Sequence, residues 1–228
     1  MRSLLMNGAG LAASLLFVFA SIGGATLLQQ RRAFSPTAAR KAIHIAVAHW
    51  WLIAMALFDD PWAASAGPAC SLVAAAVLPL EGVLPVAEGE SGTRNRGVIS
   101  YCASLLLLVN LSWRGIMPQW IAGVGVLAMG WGDGIAGLVG VKFGRAGIKI
   151  WGRRKTVPGT AAMFLASFLV ALIFTLVYNP RASVPGAVAA LSLSTAGVAT
   201  ALELLTPLGI DNFTISVGTA LFYAGVSA

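Results

Sequence analysis

Three acidic residues in the second half of the chain are of a type and in a position to take part in chemistry. Asp133 lies near the end of one apolar segment, Glu203 near the end of another, and Asp211 opens the last one. An ionisable group within an apolar segment is costly and by default marks a functional site. We therefore predict that Asp133, Glu203 and Asp211 are catalytic residues, although Asp211 is also well placed to cap a helix.

Asp133 stands in a glycine-rich stretch that runs from Gly130 to Gly137. Glycine lets another backbone or a phosphate group approach closely, so Gly132 is a candidate phosphate-binding residue. A carboxylate between glycines can also reach Mg2+, which takes one or two protein carboxylates together with phosphate oxygens. The alternative is a helix-packing face, for which Gly130 and Gly134 have the right spacing. Packing accounts for the glycines but not for Asp133.

A basic loop, residues 142–155, runs directly into a later apolar segment. The free N–H groups and the positive dipole end of a helix N-terminus suit a phosphate group, and basic side chains add charge. The candidate phosphate-binding residues share this junction and are Arg154, Lys155, Thr156, Gly159 and Thr160. The alternative is that the loop anchors the chain to anionic lipid headgroups.

A third candidate site begins the second apolar segment with Arg40, Lys41 and His44. Arg40 and His44 are four residues apart and share a helix face, and Lys41 lies beside them. Such a face could hold a phosphate or a lipid headgroup. The alternatives are that the two basic side chains reach the membrane interface and that His44 packs between helices.

The elements that must position these residues are apolar helices. Of the 228 residues, 58% are hydrophobic and only 10% are charged, whereas soluble domains carry about 25% charged residues. We predict an all-α polytopic membrane protein with one domain, residues 1–228, and about eight transmembrane helices, with seven as the alternative. The apolar segments are Gly8–Leu28, Ile43–Phe58, Ala66–Val86, Val98–Leu111, Ile116–Val139, Thr160–Tyr178, Val184–Leu205 and Phe213–Val226.

Basic residues are concentrated in alternate connections between these segments. The first, third and fifth connections hold twelve of the fifteen Lys and Arg residues, and the others are Arg2, Arg114 and Arg181. The positive-inside rule therefore predicts that these three connections are cytoplasmic and that both termini are non-cytoplasmic. The net charge of +7 is then explained by topology and by anionic headgroups or nucleotide phosphates, and it does not indicate nucleic acid.

Four stretches, in this order, resemble the family of CTP-dependent lipid-alcohol kinases, which includes dolichol kinases, phytol and farnesol kinases, and CTP-dependent diacylglycerol kinases. They are Arg40-Lys41-x-x-His44, Gly132-Asp133-x-x-Ala136-x-x-x-Gly140-x-x-x-Gly144, Lys155-Thr156-Val157-Pro158-Gly159-Thr160, and Glu203 followed by Asp211-Asn212. The resemblance covers roughly residues 38–225.

The resemblance implies CTP as the phosphoryl donor, Mg2+ as the cofactor, and a long-chain lipid alcohol of the polyprenol, phytol or diacylglycerol type as the acceptor. It implies that Asp133 binds Mg2+ and that Asp211 is a second metal ligand or the base. Lys155 and the loop arginines would hold the CTP phosphates, supported by Arg40 and Lys41, with Asn212 in the same site. The sequence indicates no particular oligomeric state.

One position departs from the family pattern, which has Glu where this chain has Pro158. Proline suits the first turn of a helix, but the site loses a carboxylate. Two other functions are open at this point. A phosphatidate cytidylyltransferase would form a CDP-lipid and pyrophosphate, and a small transporter would place polar residues at the membrane midplane.

Overall fold

The computed structural model describes residues 1–78, 94–150, 153–179, 184–207 and 209–227, which form nine α-helices and two short β-strands. The elements in chain order are α1 (Arg2–Gln30), α2 (Pro36–Ala48), α3 (Trp50–Leu57), α4 (Pro61–Val77), α5 (Arg94–Trp113), α6 (Gln119–Phe143), β1 (Gly147–Ile150), β2 (Arg153–Thr156), α7 (Val157–Tyr178), α8 (Pro185–Leu205) and α9 (Asp211–Ser227).

Five of the described helices, α1, α5, α6, α7 and α8, are long and apolar enough to cross a membrane. The predicted all-α fold with several membrane-spanning helices is confirmed. The third predicted segment extends past Leu78 and so lies partly outside the described residues. The predicted orientation of the helices stays a prediction, because helix length and composition are the same for either sidedness.

The second predicted segment is divided into α2 and α3 at His49. There the His49 N–H donates to the Ala46 carbonyl at 2.9 Å, and the His49 carbonyl accepts from the Leu52 N–H at 3.0 Å. These three-residue steps tighten the helix locally. The His49 ring lies 2.9 Å from the Ile45 carbonyl and accepts from Trp131 Nε1 at 3.1 Å. Its contacts are therefore those of a structural residue.

Helix α6 lies at the centre of the bundle and contacts α2, α7 and α9 most extensively. Its glycines make these approaches possible. A Cβ atom at Gly130 would overlap Ala48 of α2, one at Gly132 would lie 2.9 Å from Met163 Cε of α7, and one at Gly125 would overlap α9. Close packing of small residues is a main source of helix association in a bilayer, where apolar burial gives little. Helix packing therefore accounts for these glycines.

The basic loop contains a β-hairpin that the all-α prediction missed. Strands β1 and β2 pair antiparallel, with Gly147 opposite Thr156 and Ile150 opposite Arg153. Arg154 Nη2 donates to the carbonyls of Gly144 at 3.3 Å and Arg145 at 2.7 Å, which ties the hairpin to the end of α6. Only β1 alternates apolar and polar residues, over no more than four positions, and β2 has no apolar residue, so the pattern by which strands are recognised from sequence is barely present.

The junction of α3 and α4 fixes the N-terminal part of α1. The Asp59 carboxylate accepts from Ser3 Oγ at 2.8 Å and from Asn7 Nδ2 at 2.5 Å. Asp60 caps α4 by accepting from the Ala63 N–H at 2.8 Å. Both carboxylates thus meet neutral donors, as expected of residues that join and cap helices.

Candidate active site

An ion pair between α2 and α6 forms the first part of the site. Lys41 Nζ lies 2.6 Å from Asp133 Oδ2 and 3.1 Å from the Asp133 carbonyl oxygen, and both side chains are more than four-fifths buried. The pair can form because Gly137 of α6 has no side chain, since a Cβ there would lie 2.6 Å from Lys41 Cε. The lysine side chain therefore packs against the backbone of α6 and reaches the carboxylate of Asp133, one helical turn before Gly137.

His44 is the second group on Asp133. Its Nε2 atom lies 3.5 Å from Asp133 Oδ2, too far for a strong hydrogen bond, and it has no hydrogen-bond partner among the described residues. The rings of His44 and Tyr101 are 5.6 Å apart, which brings α5 into the site. Asp211, the first residue of α9, is near enough to His44 for their charges to interact.

Helices α5 and α9 are joined beside this cluster. Asn212 Nδ2 donates to the Gly97 carbonyl at 2.9 Å, and the Asp211 carboxylate accepts from the Asn212 N–H at 3.1 Å. Asp211 is 7% exposed. Four helices, α2, α5, α6 and α9, therefore meet around one charged cluster, which is made of Lys41, His44, Tyr101, Asp133 and Asp211.

A second buried ion pair joins the hairpin to α8. Lys155 Nζ bonds Glu203 Oε1 and also donates to the Glu203 carbonyl oxygen at 2.8 Å. The Lys155 side chain is 12% exposed and the Glu203 side chain 8%. A buried charge is tolerated when it is paired and hydrogen-bonded, so each residue accounts for the burial of the other.

The start of α7 offers phosphate fewer donors than we predicted. Thr156 caps the helix by accepting from the Gly159 N–H at 3.3 Å, and Pro158 has no N–H. A Cβ at Gly159 would lie 3.0 Å from the Ala136 carbonyl oxygen of α6, so glycine is needed for the helices to cross there. Capping and packing thus account for Thr156 and Gly159, and Thr160 lies half-buried just beyond them.

The remaining predicted site residues lie outside both ion pairs. Lys41 and His44 share the face of α2 that meets α6, whereas Arg40 is exposed to the side. Gly132 lies against Met163 of α7, and Arg154 is exposed and bonded to backbone. Adjacent residues of a helix point about 100° apart, so the rotation of α2 about its axis decides whether Arg40 or Lys41 faces α6. That rotation could not be predicted from the sequence.

Two features of the site escaped the sequence analysis. Asp133 is ten residues from the end of α6, so it lies about 15 Å along the helix from that end, deeper than predicted. Tyr101 was not identified because a tyrosine within an apolar segment is an ordinary packing residue. Its position one turn after Gly97, the residue that bonds Asn212, becomes informative only when the helices are assembled.

The chain is 37% identical over 198 residues to a phytol kinase of Synechocystis sp., and the match covers 85% of this chain and 82% of that protein. The chain belongs to the family of lipid-alcohol kinases. No family model matches it, and no solved structure does. All four stretches that carry the resemblance to lipid-alcohol kinases contribute to the two ion pairs or to their surroundings.

The site residues are compatible with the magnesium ion that the resemblance to lipid-alcohol kinases implies. No group of three or more His, Cys, Asp or Glu residues that could hold a metal is present among the described residues. Magnesium bound together with a nucleotide needs only one or two protein carboxylates, since phosphate oxygens and water supply the rest. The charges of Asp133 and Asp211 both act on His44, and His44 Nε2 is buried without a hydrogen-bond partner among the described residues.

Proposed function

We propose that the protein transfers the terminal phosphoryl group of CTP to the hydroxyl of a membrane lipid alcohol at the cytoplasmic face. The observation that carries the proposal is the similarity to a phytol kinase along most of both chains. Phytol is therefore the first acceptor to test, followed by polyprenols and diacylglycerol. The reaction forms an O–P bond to the acceptor, releases CDP, and passes the hydroxyl proton to a base.

Phosphoryl transfer needs charge neutralisation and positioning more than covalent chemistry from the protein. Lys41 and Lys155 are the cations that could supply this, and each is paired with a carboxylate. A phosphate oxygen is a comparable partner for a lysine ammonium, which is a mobile point charge on a flexible stem. We propose that CTP binds by taking Lys155 from Glu203 and Lys41 from Asp133, so that both carboxylates are released when the nucleotide arrives.

The released carboxylates have different roles in this proposal. Asp133 and Asp211 would hold Mg2+, which supplies charge neutralisation at the phosphate oxygens. Alternatively, Asp211 would be the base that accepts the acceptor proton, and Glu203 would keep Lys155 in position while the site is empty. Further contacts to the nucleotide, at the edge of the site, would come from Arg40, Arg154 and Thr160.

Other residues would shape the site. Thr156 would do so by capping α7, Gly132 and Gly159 by letting helices pack closely, and Asn212 by joining α5 to α9.

Pro158 is compatible with this arrangement. It occupies the first turn of α7, where a missing N–H breaks no helical bond. The carboxylate that lipid-alcohol kinases resembling this chain have at that position would lie beside Thr156 at the edge of the nucleotide site. The glutamate would therefore not be equivalent to Asp133, Glu203 and Asp211, and we propose that these three support the reaction without it, at a lower rate.

The test is a transfer assay with purified protein, Mg2+, CTP labelled in its terminal phosphate, and separate lipid alcohols. The proposal predicts labelled lipid phosphate and unlabelled CDP. Formation of a CDP-lipid and pyrophosphate from phosphatidate would instead identify a cytidylyltransferase. Absence of both reactions, together with no binding of CTP and Mg2+ to folded protein in isothermal titration, would contradict the proposal and leave a transporter as the alternative.

The proposed cytoplasmic location has its own test, because it rests on the distribution of basic residues. Reporter fusions after Arg32, Arg96 and Lys155 should all give a cytoplasmic signal. Fusions after Asp60 and Arg114 provide the opposite control. A non-cytoplasmic signal after Lys155 would separate the site from the cytoplasmic CTP pool and overturn the proposed orientation.

A further inference from the structure

Tyr101 and His44 carry two buried polar atoms that the roles assigned above leave unused. Six buried side-chain N or O atoms lack a hydrogen-bond partner among the described residues, and Tyr101 Oη and His44 Nε2 are two of them. The two rings are also in contact, with centroids 5.6 Å apart. A buried hydroxyl without a partner costs free energy that phenylalanine of the same shape would avoid, so packing alone does not explain the tyrosine.

The surroundings of these two atoms change from charged to apolar within a few ångströms. On one side is the Asp133 carboxylate, 3.5 Å from His44 Nε2. On the other side Tyr101 packs in the apolar core, in the same cluster as Leu105 and Leu108 of α5. A ligand that fits such a boundary has a small polar head and an apolar body.

We propose that Tyr101 and His44 bind the hydroxyl group of the lipid acceptor, an assignment that rests on the proposed kinase function. A hydroxyl both donates and accepts, so it can pair with the tyrosine O–H and with either tautomer of the imidazole. The hydroxyl then lies beside Asp133, where the proposed metal-bound phosphate would be. The apolar chain extends along α5, away from the charged hairpin.

A neutral hydroxyl fits these atoms better than a second phosphate does. Lys41, the cation paired with Asp133, is already assigned to a CTP phosphate, and Tyr101 adds no positive charge. The basic hairpin, which could neutralise a phosphate, reaches the bundle through Lys155 and α8 instead. Tyr101 therefore belongs to acceptor recognition, and the nucleotide depends on the lysines.

The chain provides a matched control in Tyr223, another buried tyrosine. Its hydroxyl is paired with Thr175 Oγ1 at 2.8 Å, and the residue is fully buried between α7 and α9. Removing this hydroxyl breaks a hydrogen bond in the core, whereas removing that of Tyr101 breaks none among the described residues of the unliganded protein. Tyr101→Phe and Tyr223→Phe are therefore the same chemical change with opposite expected consequences.

The experiment measures steady-state kinetics with each substrate varied in turn, together with thermal unfolding, for the wild type and both variants. Tyr101→Phe should raise the KM for the lipid alcohol roughly tenfold, the loss of about one hydrogen bond, with an unchanged KM for CTP and an unchanged or higher Tm. Tyr223→Phe should leave both KM values unchanged and lower the Tm.

Failure of this inference is distinguishable from failure of the kinase proposal. If wild-type protein phosphorylates no lipid alcohol, the proposed function fails and the acceptor assignment falls with it. If the wild type is active and Tyr101→Phe keeps a wild-type KM for the alcohol, only the assignment is overturned. A rise in the KM for CTP alone would place Tyr101 with the nucleotide, and a lower Tm with unchanged kinetics would make it a packing residue; either result also overturns the assignment.

Discussion

Carboxylates at the two ends of α5 are stabilised in different ways. Near its first turns, where Gly97 bonds Asn212, Asp133 is buried with Lys41 and His44. Near its last residue, Trp113 Nε1 donates to the Phe58 carbonyl, and the adjacent Asp59 and Asp60 accept from neutral donors at the surface.

The difference distinguishes carboxylates that bind a ligand from carboxylates that hold the fold together. Asp59 bonds to helix α1 and Asp60 caps helix α4, and both contacts are explained by folding alone. Asp133 is paired with Lys41, whose ammonium group is on a flexible stem, beside His44, whose Nε2 atom has no hydrogen-bond partner among the described residues. A buried ion pair is weak support for stability, because desolvation offsets most of its attraction. The position of the Lys41–Asp133 pair is better explained by a ligand that displaces one of the two residues from the other.

The largest effect should come from Asp133→Asn, which keeps size and removes charge. If Asp133 holds the metal that neutralises the transferring group, turnover should fall by about 100- to 1,000-fold, as for loss of one preorganised electrostatic partner. Turnover is measured with saturating CTP and lipid alcohol. Asp59→Asn, the same change at the other end of α5, should keep wild-type turnover. Near-full activity of folded Asp133→Asn protein would show that our site assignment is wrong.

Lys155→Ala should have the next largest effect. Because the lysine is proposed to touch phosphates in the ground state, the KM for CTP should rise and turnover should fall. Lys149→Ala is the matched control, since Lys149 lies on the partner strand opposite Arg154 and is exposed. Equal effects of the two substitutions would indicate that the hairpin acts only through its total charge.

The sequence predicted the helices and most of the charged residues of the site, because both depend on local patterns. Apolar segment length predicts a membrane helix, and an acid inside one predicts a site. The pairing of Lys41 with Asp133 and of Lys155 with Glu203 could not be predicted. It depends on how helices rotate and cross, which is set by contacts such as Gly137 with Lys41 and Gly159 with Ala136.

The hairpin and Tyr101 also could not be predicted from the sequence. The strands of the hairpin are four residues each, and only β1, with Ile148 and Ile150, has an apolar alternation, which is too short to distinguish a strand from a loop. Tyr101 acquires meaning only from His44, 57 positions earlier in the chain. Helix packing gives Gly132 and Gly159 a structural role, and their predicted contact with phosphate stays a prediction.

Pro158→Glu should have a moderate effect in the favourable direction. Position 158 is half-buried in the first turn of α7, where a carboxylate interacts favourably with the helix dipole by about 0.3–1 kcal/mol. We expect stability to be kept and turnover to rise, because a carboxylate is restored at the edge of the proposed nucleotide site. Turnover and Tm are both measured, and Pro158→Gln separates charge from loss of the ring. Unchanged or lower turnover would mean that the site works around Pro158.

The smallest effect should be a pH-dependent one at the scaffold end. Hydrogen bonds from Ser3 and Asn7 hold the pKa of the Asp59 carboxyl below its ordinary value of 3.8. A carboxyl whose pKa is depressed by folding contributes stability above its unfolded pKa and loses that contribution as pH falls through the folded pKa. The attachment of α1 to the α3–α4 junction should therefore weaken in acid, below the ordinary pKa of aspartate.

Asp59→Asn isolates this contribution, because the variant has no carboxyl to titrate. The wild type should have a slightly higher Tm than the variant at pH 7, and the difference should shrink towards zero as the pH is lowered well below 3.8. Asp60→Asn is the control, since asparagine caps a helix about as well as aspartate and should change the Tm little at neutral pH. A Tm difference between wild type and Asp59→Asn that stays constant across this range would show that the charge of the Asp59 carboxylate does not stabilise the attachment of α1. The role assigned here to its hydrogen bonds with Ser3 and Asn7 would then be wrong.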